Sequence, residues 1–202
     1  CASGGGRIDF GILKYTQRVW LSDTNDALER LRIQHQASNF LPMAVTGSHV
    51  GPRKCHTSGR IHNIEFRAWV AAQRLMGFEM DPRELTPDEL SSLKHITQWW
   101  KDNRIWRHDA DIHRLNVADN SITAEIQVSR NQDKFVTFVG IAETSKWSCP
   151  IPIRLTGLRP DYRYHVSLLN YREKTTASRG GSVFDKGEMD VSGQYLMANG
   201  II

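Results

Sequence analysis

The chain has 202 residues, 40% of them apolar and 24% charged, with six Trp, seven Phe and five Tyr. That composition excludes a disordered segment and suits a soluble globular chain. Lys and Arg total 26 against 22 Asp and Glu, a formal charge of +4, and the two signs are interspersed, so a nucleic-acid groove is not expected; nor is a membrane helix, because no apolar run approaches the ~20 residues one needs.

The chain opens on Cys1, Ala2, Ser3, Gly4, Gly5, Gly6 and Arg7. There is no basic stretch followed by an apolar one, as a signal peptide would require, and a domain rarely starts in a glycine loop, so the start reads as a cut through something larger. Residues 18–22 read as a short buried strand. Ser22, Asp23, Thr24, Asn25 and Asp26 then form a helix start, with acidic side chains near the positive end of the helix dipole. Ala27, Leu28, Leu31 and His35 fall on one face of that helix. Residues 41–46 are expected to form a second strand, and residues 63–76 a helix striped by Ile64, Ala68, Ala71, Ala72 and Leu75, with Gly77 as its stop. Thr86, Pro87 and Glu89 form a capping box with Pro at the first helical position, opening a helix to about Asn103.

From residue 111 the texture changes. Strands are expected at 111–117, 122–129, 135–142, 151–155 and 162–169, with turns at Asp119-Asn120 and Asn131-Gln132-Asp133. Spacings of about ten residues suggest an antiparallel sandwich. Leu158, Pro160 and Tyr164 have the form of a tyrosine corner, residues 178–187 that of a Gly/Ser-rich loop, and residues 194–202 that of a closing strand. The fold class is therefore α/β plus all-β. Residues 1–110 form parallel β/α units, too few for a complete eight-stranded barrel of ~250 residues, and residues 111–202 form an antiparallel β-sheet domain.

Chemistry could sit in three places. The opening glycines match neither a phosphate loop nor a dinucleotide fingerprint; they are a tight turn or a place where a ligand meets bare backbone. Asp23 lies just past a strand, where catalytic residues of barrels emerge, and it could equally cap the following helix; the residues leave both open. Lys101, Asp102 and Asn103 lie at the end of a capped amphipathic helix and read as its solvated face. Cys55, His56 and His62 lack a second ligand pair at zinc-finger spacing, and His108, Asp111 and His113 read as a junction between halves. No metal or cofactor is expected. Three cysteines without a Cys-x-x-Cys pair point to a reducing, cytoplasmic setting.

Two blocks carry a resemblance. Cys1 to Asp9, and Arg18-Val19-Trp20-Leu21-Ser22-Asp23-Thr24-Asn25-Asp26-Ala27-Leu28-Glu29-Arg30, resemble the segments around the last barrel strands of glycoside hydrolase family 36, the bacterial-type α-galactosidases. Their patterns there are roughly Cys-Ser-Gly-Gly-Gly-Gly-Arg-Phe-Asp and Trp-x-Ser-Asp-x-x-Asp-Ala-x-Glu-Arg. Gly47-Ser48-His49-Val50 and His56-x-x-Gly59-Arg60 resemble the segment after the last barrel strand, and the late Gly157-Leu158-x-Pro160 and residues 193–202 look like the family's C-terminal β-domain. The resemblance implies the last units of a (β/α)8 barrel followed by a β-sandwich, in a retaining enzyme that cleaves terminal α-galactosyl groups of oligosaccharides. It implies Asp23 as acid/base and Cys1, Ala2, Ser3 and Gly4 as lining of the galactose site. Ala2, where the family has Ser, leaves only a backbone contact there. The family's nucleophile belongs to a Lys-Trp-Asp-x-Asn string that would precede Cys1, so the isolated chain is expected to be inactive. A galactosyl-transferring or N-acetylgalactosamine-cleaving relative, and a non-catalytic carbohydrate-binding or structural β-domain, are the competing readings. Exposed strand edges and helix faces suggest association with further copies of the chain.

Overall fold

The computed structural model describes residues 10–170, 182, 184 and 187–201. They fall into two compact units, residues 1–109 and 110–202.

The first unit is built from β1 (Val19–Trp20), α1 (Ala27–Ala37), β2 (Thr46–Val50), α2 (Ile64–Ala72), β3 (Leu75–Phe78) and α3 (Pro87–His108). The strands form one parallel sheet in the order β1-β2-β3, so each strand is followed by a helix that returns the chain to the same end, the grammar of α/β units. Val19 pairs with Thr46, and Gly47 to Val50 pair with Leu75 to Phe78. Every residue of the central strand β2 is buried.

The core forms where α2 packs on both the sheet and α3. Ala68, Ala71 and Ala72 have no exposed surface and join Val50, Ile64, Leu93 and Ile96; side chains this small let the helices approach closely. Trp69 and Trp99 meet edge to face at 5.1 Å. Four arginines, Arg30, Arg67, Arg74 and Arg107, are buried as well. Arg74 donates to the carbonyl of Gln34 and Arg107 to that of Ala72. Cations therefore meet the carbonyl ends of α1 and α2, the favourable end of the helix dipole for positive charge.

Three expectations for this half need correction. The strand expected at 41–46 is instead a 3-10 turn, Met43–Val45, that runs into β2. Pro42 cannot donate to a ladder, and its carbonyl accepts from Val45 N–H at 3.3 Å. The helix expected to run to 76 ends at Ala72, and Gly77 is not its stop but a residue of β3 paired with His49. Leu75-Met76 continues the apolar stripe of α2, and a short apolar run does not separate helix from strand. The capping box at Thr86 and Glu89 is formed, and α3 runs on to His108 rather than Asn103.

The second unit contains β4 (Asp111–Leu115), β5 (Ile122–Val128) and β6 (Phe135–Ile141) in one antiparallel sheet, and β7 (Arg163–Val166) with β8 (Met189–Ser192) in another. Leu115, Ala124, Ile126 and Val128 from the first sheet and Tyr164 and Val166 from the second share a core with Ile153, Leu155, Leu158 and Leu196. The Tyr164 hydroxyl accepts from Arg159 N–H at 3.1 Å and donates to the Gln132 carbonyl at 2.5 Å, which is the corner read from its spacing. Residues 151–155 are not a strand; Ile153 makes one isolated bridge to Ile201. The closing strand expected at 194–202 is mostly a helix, α4 (Gly193–Ala198), capped by Ser192. Gly200, at φ +79°, ends it by donating to the Leu196 carbonyl. A Cβ there would lie 2.5 Å from the Ile153 carbonyl oxygen, so the helix stop and the bridge require the same glycine. The loop expected at 178–187 lies almost wholly outside the described residues.

Candidate active site

The carboxyl end of β1 leads into the connection to α1, and its conformation follows from alternate residues. Ser22 Oγ accepts from Thr24 N–H, Thr24 Oγ1 from Asp26 N–H, and Asp26 Oδ1 from Leu28 and Glu29 N–H. Each of these short polar side chains satisfies a backbone donor two residues on. The residues between them turn elsewhere. Asn25 turns inward, its Oδ1 3.1 Å from Cys55 Sγ. Asp23 turns outward, is exposed, and makes no hydrogen bond or ion pair with another described residue. The cap that Asp23 could have supplied is supplied by Asp26.

Asp26 is also the point at which the connection after β2 fastens onto the connection after β1. Its side chain is 1% exposed and ion-paired with Arg60 at 2.9 Å. Ser58 Oγ donates to it at 2.6 Å, and His62 Nε2 lies 3.2 Å away. Burial pushes this carboxyl up, but the bonds from Ser58, Arg60 and the Leu28 and Glu29 amides outweigh it and bring it down to about 2. Gly51 completes the junction: a Cβ at 51 would lie 2.4 Å from the Asn25 carbonyl oxygen, so no other residue fits without moving the β1–α1 connection.

The residue before Asp23 is held by one buried cation, Arg30. Arg30 on α1 donates through Nη2 to the Ser22 carbonyl at 2.7 Å and through Nε to His49 Nε2 at 3.3 Å. Its guanidinium sits 5.0 Å from the centre of the Trp20 ring, and Trp20 stacks on His49 at 5.1 Å and 22°. Gly47, opposite Trp20 in the sheet, makes room for the indole, since a Cβ there would lie 3.0 Å from the ring. Glu79, just past β3, places Oε2 3.2 Å from His49 Nε2. Burial lowers the Arg30 guanidinium to about 10, while the carboxylates of Glu79 and Asp23 act in the opposite direction. Burial and the charge of Arg30 lower His49 to about 4. Its ring is therefore neutral, with Nε2 placed between Arg30 Nε and Glu79 Oε2.

The structure thus gathers Asp23, Arg30, His49 and Glu79 at the carboxyl ends of three adjacent parallel strands. Of these, sequence reasoning singled out Asp23. Arg30 and His49 stand in the blocks that carry the resemblance, without a role of their own there, and Glu79 follows residues expected to end a helix. Cys1, Ala2, Ser3 and Gly4 lie outside the described residues. Lys101 and Asp102 are exposed on α3, where Asp102 accepts from Gln98 one turn away. Cys55 and Cys149 are free thiols. Among the described residues no group of three or more His, Cys, Asp or Glu side chains could hold a metal ion, and no helix is long and apolar enough to cross a membrane.

The known proteins that this chain resembles are glycoside hydrolases. A family profile described as Melibiase matches residues 1–108, and one described as the glycosyl hydrolase family 36 C-terminal domain matches residues 122–202. An α-galactosidase of Escherichia coli is 34% identical over 207 residues, covering 100% of this chain and 29% of the relative. The crystal structure of an α-galactosidase from Lactobacillus brevis superimposes with a TM-score of 0.82 at 28% identity, over 100% of this chain and 25% of that one. A variant of the family 36 α-galactosidase AgaA from Geobacillus stearothermophilus, solved in complex with raffinose, gives a TM-score of 0.79 at 25% identity over 98% of this chain and 25% of that one. The chain belongs to the Melibiase family, the α-galactosidases of glycoside hydrolase family 36. It spans less than a third of the length of these relatives.

Proposed function

We propose that this chain is the C-terminal portion of a retaining α-galactosidase and that Asp23 is its acid/base. In this reading residues 1–110 are the last units of the catalytic barrel and residues 111–202 the C-terminal β-sandwich. The nucleophile comes from the part of the enzyme before Cys1, and the substrates are α-galactosides of the raffinose type. Cys1, Ala2, Ser3 and Gly4 line the galactose subsite. The observation that carries the assignment is the division of labour in the β1–α1 connection: Asp26 caps the helix and holds the loop, which leaves the exposed Asp23 carboxyl without a structural task.

The chemistry follows from that position. In the first step Asp23, protonated, gives its proton to the glycosidic oxygen as a carboxylate ~5–5.5 Å away attacks the anomeric carbon. In the second step Asp23, now ionised, takes a proton from the water that releases galactose. In the complete enzyme, Asp23→Asn should lower kcat by about 10²–10⁴-fold on oligosaccharides. The loss should be smaller on an aryl galactoside whose leaving group needs no proton. Added azide should restore turnover and yield α-galactosyl azide. Full activity of Asp23→Asn on raffinose would refute the assignment.

A further inference from the structure

We propose that Arg30 is the positioning residue of the acid/base, holding the approach to Asp23 by the carbonyl of Ser22 and supplying the positive charge that Asp23 faces; this rests on the reading of Asp23 given above. The β1–α1 connection has two ends. The downstream end is fixed by Asp26 and its partners Ser58 and Arg60. The upstream end, which carries the carboxylate, is held by the 2.7 Å bond from Arg30 Nη2 to the residue before Asp23.

Arg30 has little freedom to move. Its Nε is engaged by His49, its plane lies over Trp20, and it is 1% exposed. Arg74 and Arg107, equally buried, donate to carbonyls at the ends of helices. Arg30 and Arg67 instead donate to carbonyls in the loops that follow strands, Arg67 to Gly51 after β2 and Arg30 to Ser22 after β1, and the loop after β1 is the one that carries the exposed Asp23. The ionisable groups around it are Asp23 from the β1–α1 connection, His49 from β2, Glu79 following β3, and Asp26 one turn back on α1. Asp26 is paired with Arg60, and His49 is neutral because of burial and Arg30 itself. Glu79 and Asp23 are therefore the carboxylates that share the charge of Arg30. The fork geometry that lets one side chain bond a carbonyl, a ring nitrogen and an aromatic face at once belongs to arginine and is not available to lysine.

The test uses the complete enzyme and three variants, with Asp23→Asn measured alongside. Arg30→Lys keeps the charge and loses the fork. It should lower kcat about tenfold or more on raffinose with KM within about twofold, and lower it less on an activated aryl galactoside, because a misplaced acid matters most where protonation is needed. Arg30→Met removes the charge and should move the basic limb of the pH profile up by about half a unit. Glu79→Gln, at a half-exposed site that tolerates change, removes the negative charge that offsets Arg30 and should move the same limb down. Folded Arg30→Lys with unchanged kcat on both substrates, or an unmoved basic limb in Glu79→Gln, overturns the proposal if Asp23→Asn is inactive on raffinose. Full activity of Asp23→Asn overturns the acid/base assignment beneath it. If Arg30→Met does not fold, the other two variants decide the question.

Discussion

Asp23 and Asp26 are three residues apart and both acidic, and their replacement by alanine should have very unequal consequences for stability. Asp26→Ala removes the helix cap, a loss of about 1 kcal/mol. It also removes the bond from Ser58 to a charged acceptor, about 1.5 kcal/mol or somewhat more. The bond from Arg60 adds only about 0.5 kcal/mol, because that guanidinium is 44% exposed and regains water. The total is about 3 kcal/mol, which for a chain of this length lowers the melting temperature by ~6–12 °C. Asp23→Ala, without a partner among the described residues, should stay within ~0.5 kcal/mol of the parent. Circular dichroism during thermal unfolding of the two variants at pH 7 measures both. The pH dependence gives a second reading. The folded Asp26 carboxyl sits at about 2, below its ordinary 3.8, so its stabilisation is complete above about pH 4 and lost as pH falls toward 2. The Asp26→Ala penalty should shrink over the same range. Equal stability of the two variants, or a penalty for Asp26→Ala that does not change between pH 5 and pH 2, would refute the division of labour between them.

Gly51→Ala places a methyl group 2.4 Å from the Asn25 carbonyl oxygen, so it should destabilise by ~1–3 kcal/mol and, in the complete enzyme, lower kcat more than it raises KM. Tyr164→Phe leaves the Arg159 amide and the Gln132 carbonyl without their shared hydroxyl; a loss of ~1–3 kcal/mol in urea unfolding, at unchanged slope, is expected. His49 is held neutral, at about 4 against its ordinary 6.5. The unfolded chain therefore binds a proton that the folded one refuses between those values, and stability rises with pH across that window; His49→Gln should flatten this rise in a pH series of denaturation midpoints. The isolated chain, lacking the proposed nucleophile, should not hydrolyse an aryl α-galactoside. The edges of β1 and β3, unpaired among the described residues, should make it self-associate in sedimentation, and a compact active monomer would contradict both expectations.

The legible parts of the sequence were those with local chemistry. Thr86-Pro87-Asp88-Glu89 closes its capping box within four residues, and the Leu158-to-Tyr164 spacing needs only one hydroxyl to reach nearby backbone. The two-block pattern around Asp23 was specific enough to name the family. What was not legible depends on tertiary context. The strand β2 reads Thr-Gly-Ser-His-Val, with no apolar run to mark it; it is buried all the same, with Thr46 bonded to the Met43 carbonyl and His49 to Arg30. Leu75 to Phe78 continued the stripe of α2 and were hidden by it. Asp23 and Asp26 were interchangeable as helix caps on the page; what separates them is the pairing of Ser58 and Arg60 with Asp26 across more than thirty residues. Arg30 closes the block that carries the resemblance, but its task was not legible until β2 and Trp20 were placed around it.

The junction of Gly51, Cys55, Ser58 and Arg60 with Asn25 and Asp26 constrains how such an enzyme could diversify. Residues 51–61 form an outer loop of the kind that usually absorbs insertions freely, yet here they brace the segment that bears the proposed proton donor. If Asp23 acts as proposed, a lengthened or reshuffled version would disturb turnover before it altered which sugar is preferred. New specificities should instead arise from stretches that leave this brace untouched.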